Sequence, residues 1–389
     1  MQLEIDGSRY QVAAEGIKVE LLPKEFALFQ FLYRNAGRAF SREQLLDNVW
    51  PLDYPVERTV DDHVYRLRKK LRPFPGLEIR TVRGLGYSLI MEGPRNQEGT
   101  IPTLRDPELH ETMRAVFGKY QLYGQGRSML ALARQQDVLG YKLDPFYSVY
   151  VHFVQGDLEW LLETNEAPLR DRLYFLMLFL CLTGYPGDRL ELCERVLEKK
   201  LLPPFQHREM EILTILDLYT LSGEPEKTLD RLRMSYRVIA ELEYENFIPQ
   251  TAIAELLAHL AAGSPEGKLR KLAEAIESGM LTAKPFLREI GAYKVVKGLW
   301  MLKRGDWPEA EKRMDEGLSV LEQSGFVPLY LFSLYRIVNY CGRFPPKEGL
   351  HRKYRDLFIK EQDRIGLAKF SERLETIIRS ELDRTANPL

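Results

Sequence analysis

The chain has 389 residues, of which 45% are hydrophobic and 29% charged, with a formal net charge of −1. That is too long for one ordinary domain and ordinary in balance for a globular protein with sizeable cores, so two or three domains are expected. Three widely spaced cysteines, Cys181, Cys193 and Cys341, exclude a disulfide framework, and the near-neutral total excludes indiscriminate nucleic-acid binding by the chain as a whole.

Residues 1–91 mix strand and helix patterns. Leu3 and Ile5, then Tyr10 and Val12, alternate around Asp6-Gly7-Ser8 and read as a hairpin. Ile17, Val19 and Leu21 alternate again. From Pro23 the period changes: Phe26, Phe29, Leu32 and Tyr33 share one helix face, which Asn35-Ala36-Gly37 ends. Ser41 and Gln44 form a capping box that opens a second helix, running to Trp50-Pro51, with Trp50 read as a packing residue. A third helix starts near Thr59, with Val60, Val64, Leu67 and Leu71 on one stripe. Leu77–Val82 and Tyr87–Ile90 are strand-like and flank Arg83-Gly84-Leu85-Gly86, a turn that glycine suits.

Charge concentrates on this third helix and hairpin. Between Arg58 and Arg83 stand eight basic residues against three acidic ones, a local excess of five positive charges in a nearly neutral chain. A helix with an apolar inner stripe and outward Arg and Lys fits a major groove, whose phosphate walls reward cations on both flanks. Arg80 and Arg83 on the hairpin can reach the adjacent minor groove, where negative potential favours arginine. Three helices followed by a basic, glycine-tipped hairpin make a winged helix.

The segments Leu22–Phe26, Gly37–Leu46, Val49-Trp50, Arg58–Leu71 and Ile79–Tyr87 closely resemble the OmpR/PhoB-type winged helix-turn-helix effector domain. The resemblance covers residues 1–91, less than a quarter of the chain. It implies an α+β winged helix that binds double-stranded DNA, with Thr59–Leu71 as recognition helix. It also implies DNA contacts from Arg58, His63, Arg66 and Arg68, to which the outward charge of the helix adds Lys69, and phosphate or minor-groove contacts from Thr81 and Arg83. His63 either bonds DNA or caps the helix face. Tyr65 stands where some members carry a further basic residue. In the best-known members a phosphorylated receiver domain precedes this module. Here the module begins at residue 1, so control is expected from residues 108–389.

Residues 92–107, rich in Pro, Gly and polar side chains, read as a linker. Residues 108–389 are helical in pattern, with short Gly/Pro/Asp breaks. Gly298, Gly305, Trp307, Ala310, Met314 and Gly317 resemble a tetratricopeptide repeat, and the segments from Leu216 and Gly156 follow that pattern more loosely. Small residues there let two antiparallel helices approach. The region is read as an all-α repeat domain whose concave face suits a peptide, small-molecule or protein ligand, with Tyr150, Tyr174 and Tyr293 among candidate lining residues. The apolar run Leu173–Leu182 is about ten residues long and suits a buried helix, short of the ~18 that a membrane span needs.

None of the six histidines falls in a metal pattern, and the chain carries no GxSxG, HExxH or Walker A sequence, so neither catalysis nor a cofactor is expected. No signal peptide opens the chain. The expectation is a cytoplasmic, one-component regulator that binds operator DNA as a homodimer and has no membrane partner. Two alternatives stay open: an adaptor that recruits polymerase or a signalling protein without a ligand, and a repeat protein acting on response-regulator phosphorylation.

Overall fold

The computed structural model describes residues 3–7, 9–14, 17–37, 39–50, 58–74, 76–82, 86–91, 101–344 and 348–384. These divide into two compact units, Met1–Pro102 and Thr103–Leu389.

The first unit opens with β1 (Glu4–Asp6), β2 (Gln11–Ala14) and β3 (Ile17–Glu20), an antiparallel sheet in chain order with Ile5 opposite Val12 and Val12 opposite Val19. Helix α1 (Pro23–Arg34) begins on a proline, whose missing N–H costs nothing in a first turn. The Glu25 carboxylate accepts the Leu22 backbone N–H at 2.9 Å, and Phe26, Phe29 and Leu32 are buried as their spacing predicts. Ser41 caps α2 (Arg42–Val49): its hydroxyl accepts from the Gln44 N–H, while Gln44 Oε1 accepts from the Ser41 N–H. Helix α3 (Arg58–Leu71) buries Val60, Val64, Leu67 and Leu71, and each such side chain removed from water contributes about 1.5–3 kcal/mol.

Strand β4 (Ala39–Phe40) is too short to announce itself in the sequence. It joins β5 (Leu77–Val82) and β6 (Gly86–Met91) in the order β4-β6-β5. Gly86 is explained by that strand as well as by the turn. Its φ is +150°, and a Cβ there would lie 2.1 Å from the Phe40 carbonyl oxygen, so only glycine lets β6 close on β4.

The second unit is helical among its described residues. A 3-10 turn (Pro102–Arg105) and the start of α4 (Pro107–Tyr123) already occupy the end of the segment read as linker. There follow α5 (Gly126–Ala133), α6 (Gln136–Leu139), α7 (Pro145–Gln155), α8 (Leu158–Glu163), α9 (Leu169–Leu180), α10 (Pro186–Glu198), α11 (Pro204–Glu209) and α12 (Ile215–Ser222). Then come α13 (Pro225–Glu241), α14 (Ile248–Ala261), α15 (Glu266–Glu274), α16 (Leu281–Ala283), α17 (Leu287–Lys303) and α18 (Trp307–Ser324), and finally α19 (Val327–Arg343), α20 (Glu348–Arg364) and α21 (Leu367–Arg384). The run from Leu173 is buried within α9, and all three cysteines are buried and free, Cys181 and Cys193 meeting at 3.6 Å.

The pair α17–α18 packs as its small residues require. A Cβ on Gly317 would stand 2.6 Å from the Gly291 carbonyl oxygen, and one on Gly298 would stand 2.9 Å from that of Ala310. The wider architecture departs from a simple stack, in which each pair would touch only its neighbours. Here α21 packs along α8 and α9, and α19 packs on α7. Arg189 bonds Glu375 at 2.8 Å, Arg373 bonds Glu163 at 2.8 Å, and Lys199 donates to the Leu382 carbonyl at 2.6 Å. Late helices of the helical unit therefore pack back on early ones, around a cavity that stays open to solvent. No helix among the described residues is long and apolar enough to cross a membrane.

Candidate nucleic-acid interface

At 3.6 residues per turn, the buried stripe of α3 leaves Arg58, Asp62, Tyr65, Arg66 and Lys69 on the opposite side, and all five are exposed. Tyr65 keeps 71% of its surface open, the most of any aromatic in the winged unit's described residues. Asp61 does not subtract from this cationic face. Its Oδ1 accepts from the Tyr87 hydroxyl at 2.6 Å and from Arg42 Nε at 2.7 Å. Burial pushes the Asp61 carboxyl up, but these two donors together hold it below the ordinary range.

The residues singled out by sequence fall into three groups. Arg58, Arg66 and Lys69 stand on the open face. Arg68 and Thr81 are brought together: Arg68 Nη2 donates to Thr81 Oγ1 at 2.8 Å, and Arg68 Nε donates to the Ile79 carbonyl at 2.7 Å. That guanidinium ties α3 to the first strand of the wing. His63 turns inward. Its Nδ1 lies 2.8 Å from the Thr59 carbonyl oxygen, and its ring meets buried Trp50 edge-on at 5.0 Å. Arg83 lies outside the described residues.

Sequence reasoning missed the latch that sets the wing. The Tyr87 ring sits between two guanidiniums, Arg42 at 5.2 Å and Arg68 at 5.6 Å from its centre. One strand of the wing is thereby fixed to both α2 and α3. The signal was available only as a spacing of Arg42, Asp61 and Tyr87 that no local period connects. Lys70, on the far side of α3, donates to buried Glu25 at 2.7 Å and so serves the core. Among the described residues no group of three or more His, Cys, Asp or Glu could hold a metal ion.

Residues 16–89 match the family model "Transcriptional regulatory protein, C terminal". The phosphate regulon transcriptional regulatory protein PhoB of Rhizobium meliloti is 52% identical over 90 residues, 22% of this chain and 39% of that protein. The transcriptional regulatory protein VxrB of Vibrio cholerae is 48% identical over 88 residues, 22% of this chain and 35% of that protein. The chain thus spans well under half the length of these relatives, and the match is confined to the first unit. The solved DNA-binding domain of the response regulator AdeR, in complex with an intercistronic region, is 33% identical, with a TM-score of 0.21 over 23% of this chain and 94% of that one. The first unit is an OmpR/PhoB-type winged-helix DNA-binding domain.

Proposed function

We propose that this protein is a one-component transcriptional regulator, whose winged helix reads operator DNA and whose helical unit senses an effector and joins two copies into a dimer. The observation that carries the reading is the open face of α3, where Arg58, Tyr65, Arg66 and Lys69 stand opposite a fully buried stripe. Arg66 and Lys69 meet phosphate or base edges, Arg58 meets the phosphate wall at the start of the helix, and Tyr65 offers a ring face to a thymine methyl. Arg68, Thr81 and His63 position this face, and Arg83 enters the minor groove.

The α17–α18 pair supports a tetratricopeptide-like character for the helical unit, since Gly298, Ala310 and Gly317 lie where the two helices come closest. In this reading the protein works by binding, without catalysis of its own, and acts in the cytoplasm where its DNA is. The test is selection of genomic fragments by the full-length protein, followed by salt-dependent affinity measurements. Replacing Arg66 and Lys69 together by alanine should weaken binding to the selected site at least tenfold and lower the salt slope by about 2, with the fold intact. Arg83→Ala should lower the slope by about 1. A full-length protein that enriches no DNA at low salt would overturn the reading.

A further inference from the structure

The helical unit forms a half-open cavity of about 340 Å³, within the size range of small-molecule sites. Much of its wall is aromatic, including Phe146, Tyr150, Tyr174, Phe175 and Phe332. Against this apolar wall stand a few polar groups whose bonding is incomplete. Gln206 and Asp217 are only 5% and 4% exposed and both line the cavity; Gln206 Oε1, Asp217 Oδ1 and the Nε of Arg288 lie just beneath its surface without a hydrogen-bond partner. A buried acceptor without a donor is costly to keep.

The backbone is shaped for this wall. Between α11 and α12 the helix widens into a π turn over Met210–Thr214, a feature concentrated at functional sites. The turn and its flanks bring Glu209, Leu213, Thr214 and Asp217 to the same cavity.

The charge is one-sided. Glu209, Asp217 and Glu243 face the cavity with Arg288 as the cation among its described lining residues. Counting the partners of the paired groups, Arg336 on Asp217 and Glu289 beside Arg288, leaves the same excess of two negative charges. Burial pushes the Glu209 carboxyl up to about 6, against the opposing pull of Arg288 and the Tyr174 hydroxyl. A carboxylate held at that value still ionises near neutral pH and gains from a cation brought beside it.

We propose that this cavity binds a small organic cation, a protonated amine on a compact ring-bearing body, with its ammonium beside Glu209 and its body packed among the aromatic rings. Aromatic faces and carboxylates attract the same kind of charge. The regulatory use of the site rests on the reading of the helical unit as a sensor; the site itself does not.

The test uses the full-length protein and three probes that share one ring system: tryptamine, its neutral alcohol tryptophol, and the anion indole-3-propionate. Saturable binding by ligand-observed NMR and the rise in melting temperature should follow that order, with tryptamine at least tenfold tighter than the anion. Glu209→Gln, which keeps shape and removes charge, should bring tryptamine down to the level of tryptophol. Equal or tighter binding of the anion, or no saturable binding of tryptamine at millimolar concentration, would overturn the proposal. The probe series on the unaltered protein decides the matter even if the variant unfolds. Tryptamine binding that leaves affinity for the selected DNA unchanged would keep the site and remove the sensor reading instead.

Discussion

In the winged unit, Arg42 and Asp61 stay 32% and 41% exposed while they pair, whereas in the helical unit Arg336 and Asp217 pair at 5% each. The first arrangement leaves charge half in water, where a pair contributes little to stability but orients the strand that carries Tyr87. The second takes a whole ion pair out of water, which repays its desolvation only when both partners are present. The winged unit thus directs its cations outward, toward a polyanion. The helical unit turns this one pair inward, beside its cavity.

Removing Asp217 attacks that contrast most directly. Asp217→Ala strands the Arg336 guanidinium in the interior and should destabilise the helical unit by about 3–5 kcal/mol. Chemical denaturation of the full-length protein, read together with binding to its selected DNA, separates the two units. A loss below about 1 kcal/mol would show that the pair is solvated like a surface one and erase the difference.

Glu25 is the counterpart in the winged unit, buried to 1% but joined to a Lys70 that is 35% exposed. Glu25→Gln should cost about 1.5–3 kcal/mol, the range for hydrogen bonds to a charged group. The sign of its pH dependence is set by the folded state. Burial pushes the carboxyl up, but the Leu22 N–H and Lys70 together hold it below its ordinary 4.5. Its contribution is therefore complete above that value and is lost as the pH falls through the lower, folded one. Unfolding midpoints measured down to about pH 3 should fall for the parent and flatten for the variant.

A third change asks whether the α17–α18 contact is as tight as its glycines imply. Gly317→Val would force a branched side chain against the Gly291 carbonyl and should cost about 1–3 kcal/mol. Gly342→Ala, in α19 with nothing within 4 Å of the new methyl, should instead stabilise by about 0.5–1 kcal/mol. Equal effects in thermal denaturation would mean that helix propensity alone governs both positions.

What the sequence revealed depends on the range of the interaction. Periodicity places α1, α2 and α3 and their buried stripes because neighbours along the chain decide them, and the capping box at Ser41 and Gln44 is equally local. Strand β4 has two residues and no period of its own; only β6, beyond the whole of α2 and α3, makes it a strand. The exposed cationic face of α3 is legible because Arg58, Arg66 and Lys69 share one helix. The engagement of Arg68 with Thr81 is not legible, because it depends on how the wing folds back. In the helical unit the same limit hides the cavity. Asp217 and Arg336 are 119 positions apart, and the π turn that presents Glu209 leaves no mark on a helical pattern.

A loss of similarly small size probes the latch itself. Tyr87→Phe keeps the ring between the Arg42 and Arg68 guanidiniums and removes the hydroxyl that donates to Asp61. Packing and cation–π attraction survive, so the loss should be about 1 kcal/mol, that of one hydrogen bond. Asp61 keeps Arg42 but loses the stronger of its two opposing donors to burial, so its carboxyl should rise toward the ordinary range. Carbon-detected NMR titration of the Asp61 carboxyl reads that rise directly. If the carboxyl stays where it was, Arg42 alone sets it, and the wing is held to α3 through Arg68 and Thr81 with no contribution from the Tyr87 hydroxyl.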